Sequence, residues 1–204
     1  MKKIYRTLLI CILAFLFIGC APKGGEYYKI TSSYKSEYFR TSCHGSIGAP
    51  SIAFIKYNQI YISSRIEKNK LFIGIHVPKG YNVKLVDKKV KYIRNDNSFK
   101  SLILAPIKHY PRGSSYPYVF LKSDPFGKED YFKTLVGDTN YTSWKLFTGK
   151  IEQYKWYQFY TNISVVESGK IILPSLIING RIFDGIILNF DRDFYFQPIA
   201  SLNC

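Results

Sequence analysis

The chain is poor in the residues that bind metals and carry out catalysis. Its 204 residues include four cysteines, one methionine and three histidines, and 14 acidic residues stand against 29 basic ones. The histidines, His44, His76 and His109, are far apart and form neither a His-Glu-x-x-His nor a His-x-His pair. His76 lies in an apolar stretch typical of a strand, where a histidine is more often a hydrogen-bonded or rim residue than a ligand. The sequence predicts no metal site and no cofactor.

Motifs of known catalytic classes are also missing. No Gly-x-Ser-x-Gly nucleophile elbow occurs, and the glycine-containing stretch Cys43–Pro50 lacks the Gly-Lys-Ser/Thr ending of a phosphate-binding loop. Asp184, Asp191 and Asp193 are too few and too widely spaced for a calcium loop, so they are interpreted as turn residues. We therefore predict that the protein is not an enzyme.

The chain has no apolar run long enough to span a bilayer as a helix. Its longest, Leu8–Ile18, has eleven residues, whereas a transmembrane helix needs about 20. Lys2, Lys3 and Arg6 precede this run and Phe17-Ile18-Gly19-Cys20 closes it. A basic start, a short apolar run and a small-residue ending make up an export signal. The ending resembles the lipobox of bacterial lipoproteins.

This resemblance implies a lipid on Cys20 and cleavage just before it. Residues 1–19 would then be a signal peptide, and removing those 19 residues from 204 would leave a mature chain of 185. In lipoproteins of two-membrane bacteria an aspartate after the cysteine favours retention in the inner membrane. Ala21 instead implies delivery to the outer membrane, with the domain facing the periplasm.

The basic excess limits the choice of partners. The formal net charge is +15, and losing the three basic residues of the signal would lower it to +12. In the cytosol such a charge would suggest nucleic acid, but an exported protein meets little of it. Anionic lipid, anionic glycan or a protein partner is expected instead, and a merely solvated basic surface is the alternative.

The cysteines can then be assigned. Cys11 would leave with the signal and Cys20 would carry lipid, so Cys43 and Cys204 remain in an oxidising compartment, where they are predicted to form a disulfide. Closing so long a loop would stabilise by about 5 kcal/mol in the chain-entropy model. The alternative, a Cys43 nucleophile with His44 as base, is disfavoured because adjacent strand residues point to opposite sides.

Strand signals dominate the rest of the chain. About ten short runs rich in β-branched and aromatic residues are separated by turn signals, of which Asn179-Gly180 is the strongest. The runs Val83–Ile93 and Ile171–Ile178 are each predicted as a strand, and Ser168-Gly169 as a turn. The lysines of Val83–Ile93 are typical of an edge strand or a wet face. We predict an all-β antiparallel sandwich, Ig-like or related, over residues 43–204, with a closed barrel as the alternative. One short helix is allowed over Asp124–Gly137. Residues 20–42 are predicted to be a lipid anchor and tether, part of which lies on the domain as an edge segment.

Candidate partner-binding residues come from an aromatic strand and an exposed loop. They are Tyr154, Trp156, Tyr160, Lys108 and Arg112. The three aromatic residues share one side of a strand, while Tyr157 and Phe159 share the other. Aromatic rings beside lysines stack on sugars or dock partners, but a central strand covered on both sides would use the same rings as core.

Together these features predict a non-enzymatic, lipid-anchored envelope protein that binds an envelope component or a protein. The alternative is a periplasmic inhibitor or immunity protein that uses the loop Lys108–Pro117 against a toxin or lytic enzyme. An envelope hydrolase is the third and least favoured hypothesis.

Overall fold

The computed structural model describes residues 23–39, 49–106, 134–137, 142–145, 151–164 and 168–197. Every regular element in these ranges is a β-strand, and every strand pair is antiparallel. The same ranges contain no helix with the length and apolar character needed to cross a membrane. The predicted all-β antiparallel class is confirmed.

The strands form three sheets. Sheet A has the order β1 (Lys23–Thr31), β16 (Ile187–Gln197), β13 (Ser168–Ile172), β7 (Lys89–Arg94) and β8 (Phe99–Ile103). Sheet B has the order β11 (Thr142–Lys145), β12 (Ile151–Asn162), β5 (Lys70–Pro78), β4 (Ile60–Glu67), β3 (Ile52–Tyr57) and β2 (Ser36–Phe39), and β9 (Ala105–Pro106) also pairs with β12. Sheet C has the order β10 (Leu135–Val136), β6 (Asn82–Leu85), β14 (Leu176–Ile178) and β15 (Arg181–Phe183). Among the described strands each sheet is open, with two edges.

One hydrophobic core joins the three sheets into a sandwich. Alternate residues of each strand point inward, as the two-residue period of a strand requires. Ile55 and Ile62 from sheet B, Leu188 and Phe190 from sheet A and Leu85 from sheet C all belong to this core and are almost fully buried. The isoleucine-rich alternation of β3, β4 and β5 therefore supplies one wall of the sandwich.

The predicted tether is largely part of the fold. Strand β1 pairs with β16 over nine residues, from Lys23 opposite Gln197 to Thr31 opposite Asn189. Ile30 is 1% exposed and belongs to the core. Strand β2 pairs with β3. The folded part thus begins well before residue 43, because β1 gains its ladder from a partner strand at the far end of the sequence.

Three local predictions also differ from the structure. Leu135 and Val136, within the allowed helix, form strand β10, and the first ten residues of that prediction lie outside the described ranges. Ser168 and Gly169 lie in β13 rather than in a turn. Asp191 and Asp193, interpreted as turn residues, lie within the long strand β16, which binds them into sheet A by backbone pairing.

Candidate functional site

The outer surface of sheet A mixes lysines with exposed apolar side chains, and we call it the basic-apolar face. Its members are Lys89, Lys91, Ile93, Phe99, Ile103, Lys170, Ile172 and Ile187. They come from four neighbouring strands, β16, β13, β7 and β8. The face therefore crosses most of the sheet.

Strand register brings these side chains side by side. Ile172 of β13 lies opposite Ile187 on one side and Lys91 on the other. Across the next pair of strands, Lys89 lies opposite Ile103 and Ile93 opposite Phe99. Residues that are directly opposite in a sheet share a face, so apolar and basic groups alternate over the surface.

The inward neighbours of these residues fix their direction. Val90 and Tyr92 in β7, Leu102 in β8, Ile171 in β13 and Leu188 in β16 are buried in the core. Since successive strand residues point to opposite sides, the residues between them must face outward.

The apolar members of the face are accessible to a partner. Phe99 is 68% exposed, Ile103 is 66% exposed and Ile187 is 49% exposed. The Lys91 ammonium lies 4.6 Å from the centroid of the Phe99 ring, a cation–π arrangement. Single exposed apolar residues are normal on proteins, but a contiguous set bordered by charges is typical of an interaction surface.

A second candidate lies on the outer side of sheet B, and we call it the His76 cluster. It consists of Ser63, Gly74, His76 and Trp156 on β4, β5 and β12. The His76 Nε2 atom lies 3.0 Å from the Ser63 hydroxyl oxygen, and the His76 ring stacks on Trp156 with 5.5 Å between centroids. A Cβ atom on Gly74 would meet Ser63 Oγ at 2.2 Å and Trp156 Nε1 at 2.4 Å, so these side chains close over the glycine.

The burial of the His76 cluster favours a structural role for its hydrogen bond. His76 is 2% exposed, and burial lowers the pKa of its imidazole from 6.5 to about 3. A general base works best when its pKa is near the working pH, so this imidazole is a poor base for activating Ser63 at neutral pH. As a neutral ring it can share a hydrogen bond with the serine hydroxyl and satisfy both groups inside the protein.

The aromatic residues predicted as partner-binding border this cluster. Tyr154, Trp156 and Tyr160 share the outer side of β12, whereas Tyr157 and Phe159 lie in the core. The side assignment made from the sequence is confirmed. Tyr154 is buried, while Trp156 and Tyr160 are half-buried. Strand β12 lies between β5 and β11, so it is a central strand. Aromatic residues on a central strand are expected to serve as core. Partner binding by Tyr154, Trp156 and Tyr160 stays a prediction.

Several predicted site residues lie outside the described ranges. They are Cys20, Cys43, Cys204, Lys108 and Arg112. The predicted lipidation, the predicted disulfide and the predicted contact loop therefore stay predictions. Within the described ranges, no three residues of the types His, Cys, Asp and Glu converge as metal ligands would.

Sequence reasoning missed both surfaces, although each left a signal. The lysines of β7 are typical of an edge strand or a wet face, and their apolar neighbours Phe99 and Ile103 belong to a different strand, so a local pattern does not join them. In β4 the polar-containing series Tyr61, Ser63, Arg65 alternates with a side that is isoleucine except for Ser64, which indicates that the two sides of the strand have different surroundings. Only the register of β4, β5 and β12 shows which residues lie beside Ser63.

Comparisons with known proteins supply no relative from which a function could be transferred. No protein family, no curated protein and no solved structure matches this chain.

Proposed function

We propose that this chain is a non-enzymatic, lipid-anchored protein of the bacterial cell envelope that binds an acidic protein partner through the basic-apolar face. The observation that supports the proposal is the accessible set Phe99, Ile103 and Ile187, interleaved with Lys89, Lys91 and Lys170. The lipobox-like ending at Cys20 supports the anchor, and Ala21 after it supports delivery to the outer membrane, with the domain facing the periplasm.

The composition of the face favours a protein partner over a free polyanion. A polyanion would need only the lysines, and the exposed isoleucines and Phe99 would gain nothing from it. Burying apolar surface contributes about 25 cal/mol per Å² removed from water, so these side chains favour a partner that has an apolar patch of its own. The lysines, on a chain with a formal net charge of +15, select partners whose patch is bordered by carboxylates and increase the association rate.

Photo-crosslinking in membranes of the native host tests the binding face. A photoreactive amino acid at position 103 is expected to form one defined protein adduct. The same group at position 182 should form none, because Ile182 is also highly exposed, at 72%, but belongs to sheet C. Lys91→Glu combined with Lys170→Glu should abolish the adduct at position 103, and the captured protein should be acidic.

The other outcomes decide against the proposal in distinct ways. Equal adducts at positions 103 and 182 would mean that capture is non-specific. An adduct at position 103 that still forms in the Lys91→Glu, Lys170→Glu variant would contradict the proposal that these lysines select an acidic partner. A lipid or glycan adduct would replace the protein partner, and a captured toxin or lytic enzyme would favour the inhibitor hypothesis.

Intact mass of protein purified from native membranes tests the anchor and the disulfide. Acylation of Cys20 with loss of residues 1–19 is expected. Reduction should add the mass of two hydrogens and should make Cys43 and Cys204 open to alkylation. An unlipidated chain that keeps its first 19 residues would overturn the anchor.

A further inference from the structure

The paired strands β1 and β16 carry two exposed phenylalanines beside the proposed anchor. Going along β16 on the side that faces the core, Phe190 is completely buried. Beyond it on the same side come the exposed Arg192, then Phe194 and Phe196, which are 62% and 65% exposed. The paired strands β1 and β16, which we call the β1–β16 ribbon, thus extend beyond the core after Phe190. There they expose two large apolar rings.

We propose that Phe194 and Phe196 form a membrane-contact surface that inserts into the interfacial zone of the bilayer holding the Cys20 lipid. This inference rests on the anchor in the proposed function. It concerns a different surface from the basic-apolar face, because these rings lie on the core-facing side of sheet A and the lysines lie on its outer side.

The short stretch of chain between Cys20 and the β1–β16 ribbon favours lipid as the partner that these rings contact. Gly24 lies directly opposite Phe196 in the β1–β16 register, and only three residues, or four Cα-to-Cα steps, lie between Gly24 and Cys20. Extended chain spans at most about 3.3–3.6 Å per residue, so Gly24 lies within about 14 Å of the lipidated cysteine. The polar interfacial region of each leaflet is itself roughly 5–8 Å deep. A surface this close to the anchor meets the bilayer before any other partner.

The Phe194 ring packs over the backbone of the neighbouring strand β1. A Cβ on Gly24 would lie 3.1 Å from Cζ of Phe194, so the ring lies over the glycine and uses the space that a side chain would take. On the opposite side of the ribbon, the Tyr27 and Tyr195 rings meet edge to face, with 6.3 Å between centroids. The phenylalanines are therefore presented by a braced two-stranded element.

Two of the three carboxylates of the β1–β16 ribbon, Glu26 and Asp193, have side-chain partners within it. Arg192 pairs with Glu26, and the Tyr27 hydroxyl donates a 2.9 Å hydrogen bond to Asp193. The Phe194 N–H and that bond hold the pKa of Asp193 below its usual range. Because these carboxylates are paired or hydrogen-bonded, they oppose approach to anionic headgroups less than free ones would. Aromatic and large apolar side chains are the groups that peripheral proteins bury at the lipid interface.

Tryptophan fluorescence of the full-length protein tests the surface. The protein is purified from host membranes and placed in vesicles containing brominated lipids, which quench tryptophan on contact. Phe194→Trp and Phe196→Trp should each add a blue-shifted signal that these lipids quench by severalfold. Ile182→Trp is the control, because Ile182 is at least as exposed, at 72%, but lies on β15 of sheet C and outside the basic-apolar face. Its added signal should not be quenched.

Intact mass of the same samples separates the possible failures. If the protein is acylated but the signals added by Phe194→Trp and Phe196→Trp resemble the control, the membrane-contact surface is overturned and the anchor stays intact. Protein without acyl chains would overturn the anchor and, with it, the placement of these rings. A blue shift already present in detergent-free solution without vesicles would mean that a second copy of the chain covers them, and would also overturn the proposal.

Discussion

His76 shows how one residue couples the fold to pH. Its imidazole is neutral in the folded protein because burial lowers its pKa from 6.5 to about 3. The unfolded chain binds a proton there below pH 6.5, and the folded chain does not until about pH 3. Between those values the unfolded state holds more protons, so stability rises with pH and falls as the solution is acidified.

We therefore expect the free energy of unfolding to decrease by up to about 1.4 kcal/mol per pH unit as the pH drops from 6.5 towards 3. Urea titrations at several pH values measure this slope. His76→Gln, which has no titrating ring, should lose most of the slope whatever its absolute stability. An unchanged slope in His76→Gln would contradict the assignment of this pH dependence to His76.

Gly74 is the residue on which the His76 cluster closes. Gly74→Ala would bring a methyl group within 2.2 Å of Ser63 Oγ and 2.4 Å of Trp156 Nε1. Both side chains would have to shift within a packed surface, which costs typically about 1–3 kcal/mol. Gly25→Ala in β1 is the control, because its added carbon would be 3.5 Å from Tyr195, an ordinary contact. Thermal unfolding should separate the two variants, and equal melting temperatures would refute the crowding argument.

At the scale of elements, a single phenol links strand β10 to a second sheet. The Tyr157 hydroxyl donates a 2.8 Å hydrogen bond to the Val136 carbonyl and accepts a 3.0 Å bond from the Val136 N–H. These two bonds join β10 of sheet C to β12 of sheet B. Strand β10 also pairs with β6 over two residues and buries Leu135 in the core, and the adjoining Gly137 bonds Gly80 and Tyr81 through the backbone.

Tyr157→Phe should therefore release β10 more than it weakens the protein as a whole. Each buried backbone group left unsatisfied costs about 1–3 kcal/mol. Hydrogen exchange should accelerate at residues 135–137 and stay nearly constant in the central strands of sheet B. Tyr160→Phe is the control, since its hydroxyl makes no hydrogen bond among the described residues. Equal exchange at residues 135–137 in both variants would count against the bridge.

The elements also show which features the sequence can predict. Asn179-Gly180 was predicted as a two-residue hairpin turn, and both residues have positive φ, 48° and 81°, with Ile178 opposite Arg181. That prediction is confirmed because an Asn-Gly turn is determined locally. The turns Asn58-Gln59 and Lys68-Asn69 also have positive φ throughout, yet they contain no glycine to mark them.

The local sequence pattern does not show which sheet a strand joins. The run Val83–Ile93 was predicted as one strand, but it divides between β6 of sheet C and β7 of sheet A. The run Ile171–Ile178 divides in the same way around Pro174, which cannot donate to a ladder. Composition gives the same strand propensity on both sides of each break. The packing partners that separate the two halves come from distant parts of the chain, as they do for the His76 cluster and the basic-apolar face.

At the scale of the whole molecule, pairing between the two ends of the chain decides where the fold begins. Strand β1 was predicted as tether because residues 21–42 have no sustained apolar period. Its ladder partner β16 lies at the far end of the sequence, and such pairing leaves little trace in a local pattern. The consequence is that the proposed membrane anchor connects to the core of the sandwich through only a few residues.

Substitution of Ile30 distinguishes an integral β1 from a tether. Ile30 is 1% exposed and packs in the core between sheets A and B, so Ile30→Ala should lower the free energy of unfolding by about 2–5 kcal/mol. Lys29→Ala, one residue away on the solvent side, should change it by less than about 0.5 kcal/mol. Denaturant unfolding measures both. If β1 were only a spacer between lipid and domain, the two variants would be equally stable. A large difference between neighbours one residue apart requires the alternating burial of a strand. It would mean that β1, the segment next to the proposed anchor, is an integral part of the core.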